Sequence, residues 1–395
     1  MLSVAEAEKI ILLHLFKPLK QTIAIQSSPG KILAEEIKAD RDFPPFNRAA
    51  MDGIAILFKS FENGNRNFFI EAMQAAGQEQ KALIDKNACI EIMTGAVLPE
   101  GTDTIIPYEN IKVENQGASI LNEPVLKAQN IHGRGSDAKQ NEVLLSAGMK
   151  ISAAEVALLA SVGKVEVAVF KNPKAAIIST GDELVDVHQT PLPHQIRKSN
   201  SYALMAALNN LGCEADAFHL KDDEVELTKS LNEILGKYEL IILSGGVSKG
   251  KLDLVPKVLE SLGVKKSFHG VSQRPGKPMW FGASDKNFVF ALPGNPVSTF
   301  MCFHRYVKPW LEKSIGFKSR NQSAILAKDF SFQPSLTYFL QVKIENEEGK
   351  LMAYPIVGGG SGDFANLKEV DGFLELALDR VNFMKGEAMR LISFR

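Results

Sequence analysis

The chain has 395 residues, more than one ordinary core holds and enough for two to four domains. A formal net charge of −1 gives no ground for bulk attraction to nucleic acid or to an anionic membrane. The three cysteines, Cys89, Cys213 and Cys302, stand far apart; without a C-x-x-C or a zinc-spaced Cys/His group, they suit a reducing cytoplasm.

The opening "MLSVAEAEKIILLHLF" places Glu6 and Glu8 before a short apolar run, which is not the pattern of a signal peptide. Ser3 with Glu6 forms a capping box, and Val4, Ala7, Ile11 and Leu15 recur at helical spacing, so an amphipathic helix is predicted. No apolar run reaches the roughly 18 residues that span a bilayer. Residues 20–45 mix short extended runs with one helical signal and end at "DFPPFN", where Pro44-Pro45 stiffens the chain. From Gly53 to about residue 145 the runs "GIAILF", "NFFIEA", "ACIEIM" and "DTIIPY", broken by Gly, Asn and Pro, predict a small β-rich domain. "SAAEVALLASVG" reads as a helix closed by Gly163.

Beyond residue 172 the pattern changes. "KAAIIST", "YELIILS" and "FVFALP" are continuous apolar runs, as expected of strands buried on both faces, and "CEADAFHL" is a further strand. Helical patterns alternate with them: "SNSYALMAALNNLG", "DDEVELTKSLNEILGK", "DLVPKVLESLG" and "PVSTFMCFHRYVKPWLEK". This alternation predicts a doubly wound parallel sheet. After residue 322, short strands around "VGGGSGDF" predict a small β-barrel or sandwich. The fold class is thus multidomain α/β. Residues 1–45 and 146–171 form a split N-terminal part, 46–145 the small β-rich domain, 172–320 the α/β domain and 321–395 the C-terminal β domain.

Ligands of doubly wound sheets bind beyond the carboxyl ends of the strands. Three such ends carry polar, glycine-rich turns: "STGDEL", "SGGVSKGKLD" and "LPGNPVS". Small residues there let a ligand approach the backbone, and successive N–H groups can cradle an anion. In the second turn, Gly245 and Gly250-Lys251 imitate a P-loop, G-x-x-x-x-G-K-[ST], but Leu252 replaces the hydroxyl residue and Asp253 follows. Glu183 and Asp253 both lie just past strand ends, where carboxylates can hold magnesium together with phosphate oxygens; either acid alone suits a helix N-terminus equally well. In "SQRPGKPMWFG", Arg274 and Lys277 flank Pro275-Gly276, a pair of cations on a restricted backbone.

In order and spacing, "AAMDGIA", "IMTGAVLPEGTDTIIPYE", "STGDEL", "SGGVSKGKLD", "RPGKPMWFG", "LPGNPVS" and "GGGSGDF" resemble the MoeA family of molybdenum-cofactor biosynthesis, related to the gephyrin E domain, over nearly the whole chain. Smaller MogA-like and CinA-like relatives share only the central α/β domain. The resemblance implies a MogA-like central domain and a molybdopterin molybdenumtransferase that inserts molybdate into adenylylated molybdopterin with Mg2+, releasing AMP. It assigns Asp52, Thr94 and Asp137 on the small-domain side, and Glu183, Asp222 (or its neighbour Asp223) and Asp253 in the α/β domain, with Glu183 and Asp253 for the metal. By the same resemblance Ser248, Arg274, Lys277, Pro278 and Ser361 match positions that line the molybdate pocket, and Pro293 and Pro296 match the family's paired prolines. It further implies an elongated homodimer, with the α/β domain of one chain facing the small domain of the other, and a MogA-like adenylyltransferase as partner. Three departures stand out: Arg274 where many relatives have Lys, Gln341 where many have Arg, and Lys251 where an acid is frequent. Two alternatives stay open on sequence: a non-catalytic scaffold on the same fold, and a P-loop NTPase, against which Leu252 speaks.

Overall fold

The computed structural model describes residues 1–122, 124–221, 223–246, 254–317, 321–358 and 360–395. The chain forms two compact units, residues 35–146 with 153–165, and residues 1–34 with 147–152 and 166–395.

The smaller unit is built on a six-stranded sheet. Its strands are β1 (Gly53–Ile56), β2 (Asn67–Gln74), β3 (Cys89–Ile92), β4 (Thr104–Pro107), β5 (Ile111–Glu114) and β6 (Gly117–Ile120), in the order β4-β1-β3-β2-β6-β5. The first four coincide with the four apolar runs of the sequence. The β5–β6 hairpin turns through Asn115 and Gln116, both at positive φ, as the twist of a two-residue hairpin loop requires. Ile54, Ile56, Phe68, Cys89 and Ile106 fill its core.

The larger unit holds two sheets. The first contains β7 (Ala175–Thr180), β8 (Ala215–Leu220), β9 (Leu240–Ser244), β10 (Lys265–His269), β11 (Trp280–Ala283) and β12 (Phe288–Leu292), in the order β8-β7-β9-β12-β11-β10. The first four neighbours in that order are parallel, as expected, and helices Asn200–Asn210, Glu224–Leu235, Val255–Ser261 and Pro296–Cys302 follow β7, β8, β9 and β12. The β10 and β11 strands complete the sheet antiparallel. The link from β11 to β12 is too short for a helical crossover, which fixes their antiparallel sense. Alternate residues go to opposite faces. Ile177, Ile242 and Phe290 join one core with Val4, Ala7 and Ile11 of the N-terminal helix Val4–Leu13, while Ile178, Leu243 and Val289 join the other with Leu227 and Leu231. Each such side chain contributes about 1.5–3 kcal/mol on burial, which is why these strands read as unbroken apolar runs.

The second sheet comprises β13 (Gln322–Leu326), β14 (Thr337–Glu347), β15 (Lys350–Pro355), β16 (Gly372–Leu376) and β17 (Ala388–Ser393), in the order β14-β15-β13-β17-β16, and a further β14–β16 pairing closes the ring. It is a five-stranded barrel and not a sandwich, packed inside by Leu326, Leu340, Val342, Leu374 and Leu391. Gln273–Arg274 pairs in parallel with Thr337–Tyr338 at the start of β14. Elsewhere in this unit, Lys20–Ala24 pairs with Glu166–Phe170. Among the described residues, no helix is long and apolar enough to cross a membrane.

Helix Pro296–Cys302 runs through a π-helical stretch, Phe303–Val307, into Lys308–Ser314. Pro309 offers no N–H to the helix ladder, and the wider turn directly precedes it. From this stretch Arg305 is buried against Glu375 (Nε to Oε2, 2.8 Å) and Glu8 (Nη2 to Oε2, 2.9 Å), and Arg390 approaches Glu8 at 3.3 Å. Burial alone would push the Glu8 carboxyl up; Arg305 and Arg390 more than reverse this and hold it below its ordinary value.

The neighbouring His304 packs among the rings of Phe300, Phe303 and Phe394, at centroid distances of 4.5, 5.2 and 5.6 Å. Among the described residues neither of its ring nitrogens has a hydrogen-bond partner. Burial, reinforced by Lys308, lowers its pKa from 6.5 to about 3. Unfolded, the ring takes up a proton as pH falls through about 6.5; folded, it stays neutral down to about 3. Stability is therefore undiminished above 6.5, falls between there and 3, and levels off below. The substitution His304→Leu should remove this slope. Urea denaturation at pH 7 and pH 4 should show the variant gaining on wild type by up to about 3 kcal/mol at the lower pH.

Candidate functional site

The β8-β7-β9 order means that the chain leaves β7 toward one side and crosses to the other, so a crevice opens beyond the carboxyl ends of β7 and β9. Two adjoining cavities lie there. One, of about 360 Å³, is lined by the ends of β7 and β9, by Glu183 and by Lys198, Asn200 and Pro296. The other, of about 830 Å³, runs from the β9 and β12 turns to the barrel. Gly245, Gly246, Gly294 and Asn295 line both.

Glycine is required at this crest at position 246. Gly246 has φ +71°, and a Cβ there would lie 2.8 Å from Val255 Cγ2 and 3.0 Å from Thr180 Oγ1. The backbone at Gly294 lies beside the β9 turn, where a Cβ would make an ordinary contact of 3.6 Å with the Cα of Gly245. The turns are locked by amides. Asn200 Nδ2 donates to Ser244 Oγ (2.7 Å), Gly294 O (2.7 Å) and Thr299 Oγ1 (3.2 Å). Asn295 Nδ2 donates to Ser361 Oγ at 2.8 Å, and Val297 N to Ser361 O at 3.2 Å.

The large cavity's cations sit on a buried frame. Gln273 is fully buried; its Nε2 donates to Gly276 O at 3.0 Å, and its Oε1 accepts from the Tyr306 hydroxyl. Gly276, at φ +89°, leaves room for Cys302 Sγ where a Cβ would come within 2.6 Å. Over this frame Arg274 and Lys277 are exposed, and they are the charged residues of the described lining. The Arg274 guanidinium lies over the Phe332 ring, 5.9 Å from its centroid, and Phe332 stacks on Tyr338. Gln341, at the barrel wall, accepts from Asn366 Nδ2 at 3.0 Å, so a neutral amide pair occupies that wall.

Arg274, Lys277, Pro278, Pro293 and Ser361 thus line the large cavity, and Glu183 and Pro296 the small one. Ser248, Asp253 and Asp222 lie outside the described residues. Asp223 serves as a helix N-cap, accepting from Val225 N and Glu226 N at 3.1 and 2.9 Å.

In the smaller unit Asp52 and Thr94 come together. Asp52 Oδ1 accepts from Thr94 N at 2.6 Å and from Thr94 Oγ1 at 2.8 Å. These bonds, the backbone one foremost, hold the Asp52 carboxyl below the usual range and so keep it ionised. Gly53 is needed beside it, since a Cβ would fall 2.0 Å from Ile106 O across the β1–β4 pairing. Asp137 bonds instead to His132, Nε2 to Oδ1 at 2.6 Å.

Sequence reasoning missed Asn200, Gln273, Asn295 and His132. The placement of Asn295 between Gly294 and Pro296 was a readable helix-start signal; Gln273 and His132 carry none, because their partners are remote in sequence.

Residues 2–163 match the family model for the MoeA N-terminal region (domain I and II), 176–313 that for a probable molybdopterin binding domain, and 323–394 that for the MoeA C-terminal region (domain IV). The chain is 39% identical to a molybdopterin molybdenumtransferase of Synechocystis sp., with 98% of each covered. To the Bacillus subtilis protein of the same name it is 31% identical, covering 94% of this chain and 89% of that one. A crystal structure of the molybdopterin biosynthesis MoeA protein of Pyrococcus horikoshii is similar over the full length of both chains, with TM-score 0.87 and 28% identity.

Asn200→Ala should cost about 1–3 kcal/mol of stability, because it leaves buried Ser244 and Thr299 short of their shared donor. Guanidinium denaturation of the variant beside wild type checks this.

Proposed function

The chain belongs to the MoeA family, and we propose that it acts as a molybdopterin molybdenumtransferase, exchanging the adenylate of adenylylated molybdopterin for molybdate and releasing AMP. The observation that carries this reading is the large crest cavity, whose charged described lining is the pair Arg274 and Lys277. Molybdate is a dianion. Arg274 gives it a planar fork and Lys277 a point charge, both through charge-assisted hydrogen bonds. Ser361, fixed by Asn295, adds a hydroxyl at the same wall.

The pyrophosphate of the substrate fits the neighbouring crevice, where the turns at Gly181 and Gly245-Gly246 bring bare backbone within reach of an anion and Lys198 lines the wall. Glu183 is the acid in that described lining. An oxygen donor of this kind suits magnesium, which commonly takes one or two carboxylates plus phosphate oxygens. Glu183 and Asp253 are the residues that would hold it. Magnesium bound there supplies charge neutralisation at the bond being broken. The carboxylates of Asp52 and Asp137 are available to N–H or O–H groups of the pterin, and a MogA-like adenylyltransferase would supply the adenylylated substrate.

Incubation with adenylylated molybdopterin, molybdate and Mg2+, following AMP, is the decisive assay. AMP release that depends on molybdate is expected; release of AMP or ADP from ATP alone would favour the NTPase alternative. Arg274→Ala and Lys277→Ala should each raise the molybdate concentration for half-maximal turnover about tenfold or more, with little change in half-saturation by the pterin nucleotide. Equal losses for both ligands would place these cations on phosphate instead.

The proposal extends to a homodimer in which Asp52 of one protomer and Asp253 of its partner serve one cleft. Subunit exchange between inactive Asp52→Asn and Asp253→Asn variants should then restore about a quarter of wild-type activity, because roughly half the dimers are mixed and each mixed dimer has one intact cleft. Confirmed exchange without recovery would reject the shared cleft.

A further inference from the structure

Asp137 is held by a chain of polar contacts that nothing above requires. Strand Arg48–Ala49 pairs antiparallel with Ile131–His132, and the register sets His132 directly opposite Arg48. Arg48 Nη2 stands 3.2 Å from His132 Nδ1, and His132 Nε2 stands 2.6 Å from Asp137 Oδ1. A guanidinium only donates and keeps its protons in any protein setting. His132 Nδ1 must therefore be the acceptor, and the single ring proton sits on Nε2, where it donates to Asp137. An imidazolium would set an Nδ1–H against an Arg48 N–H, donor against donor and cation against cation.

The carboxylate is further fixed by Ser136 Oγ, 3.3 Å from the same Oδ1, and by its own backbone, Asp137 N donating to Phe43 O at 2.9 Å. Both side-chain bonds fall on Oδ1, although the Asp137 side chain remains 52% exposed. Asp52 shows the same division of labour, with Oδ1 taking both Thr94 bonds. Residues 48–52 thus carry the His132 anchor at one end and the second pinned carboxylate at the other.

We propose that His132 is a positioning residue for the transfer reaction. Arg48 holds it as the neutral Nε2–H tautomer, and it fixes the Asp137 carboxylate so that Oδ2 receives an N–H or O–H group of the pterin substrate. The proposal rests on the molybdenumtransferase reading, and it makes one claim that is independent of turnover, the tautomer itself.

The test uses the full-length protein. Long-range 1H–15N spectra of histidine-labelled protein without substrate, with His132 identified by loss of its signals in His132→Gln, should show a proton-bearing Nε2 and a bare Nδ1. An Nδ1–H tautomer or an imidazolium at neutral pH overturns the relay. In the AMP-release assay, His132→Phe should lower kcat/KM for the pterin nucleotide roughly ten- to a hundredfold, since a misplaced carboxylate loses its alignment. Its molybdate half-saturation should stay unchanged. His132→Gln keeps one acceptor and one donor across its amide and should recover most of that loss. Equal impairment in the two variants, at equal melting temperatures, overturns the positioning role. In an Asp137→Ala background His132→Phe should add nothing; an additive loss also overturns it. A wild-type protein without molybdate-dependent turnover would defeat the functional reading while the spectra still decide the relay.

Discussion

One buried charge ties together three of the elements around the large cavity. Its walls come from two sheets of the same unit, which share an apolar core and pair at Gln273–Arg274; beside them Arg305 joins Glu375 of the barrel and Glu8 of the N-terminal helix, with Arg390 of the barrel closing the group. A buried guanidinium is costly to desolvate, so the network is weak evidence for stability as such. Its effect is on geometry. Two carboxylates from separate elements converge on one fork, which ties the N-terminal helix and the barrel to the helical segment that follows β12.

That placement reaches the cations through short links. Arg305 and Tyr306 are consecutive; Tyr306 bonds Gln273, and Gln273 precedes Arg274. From the other side, Thr337–Tyr338 of β14 pairs with Gln273–Arg274, and Phe332 lies beneath the guanidinium. The loop that carries Arg274 and Lys277 is therefore gripped by both sheets, while its charged tips stay exposed. Such separation of rigid frame from exposed tip lets an open loop bind without a large ordering cost.

Much of this architecture was legible in the sequence. β7, β9 and β12 are buried on both faces, so their apolar runs were unbroken, and the crest turns were marked by glycine. The edge strand β10 was not, because "KKSFH" carries the lysines that keep an edge from pairing further, and so has no apolar signature. Barrel against sandwich could not be told apart, since closure rests on the single β14–β16 pairing and not on any local pattern. Of the site, the charged and glycine residues were readable because charge and φ are local properties. Asn200, Gln273 and His132 were not, because each is defined by partners brought from elsewhere in the chain.

The ring of the barrel also sets an order of events for the growing polypeptide. β17 is not an outer stave; it lies between β13 and β16, so the ring stays open until residues 388–393 have left the ribosome. Glu8 finds Arg390 at a sequence separation of 382. Contacts of such span are the slow step of folding, and exposed strand edges during the wait invite misassembly. The unit that carries the cations is thus completed only once residues 388–393 are available, with helix Val4–Leu13 waiting on β17.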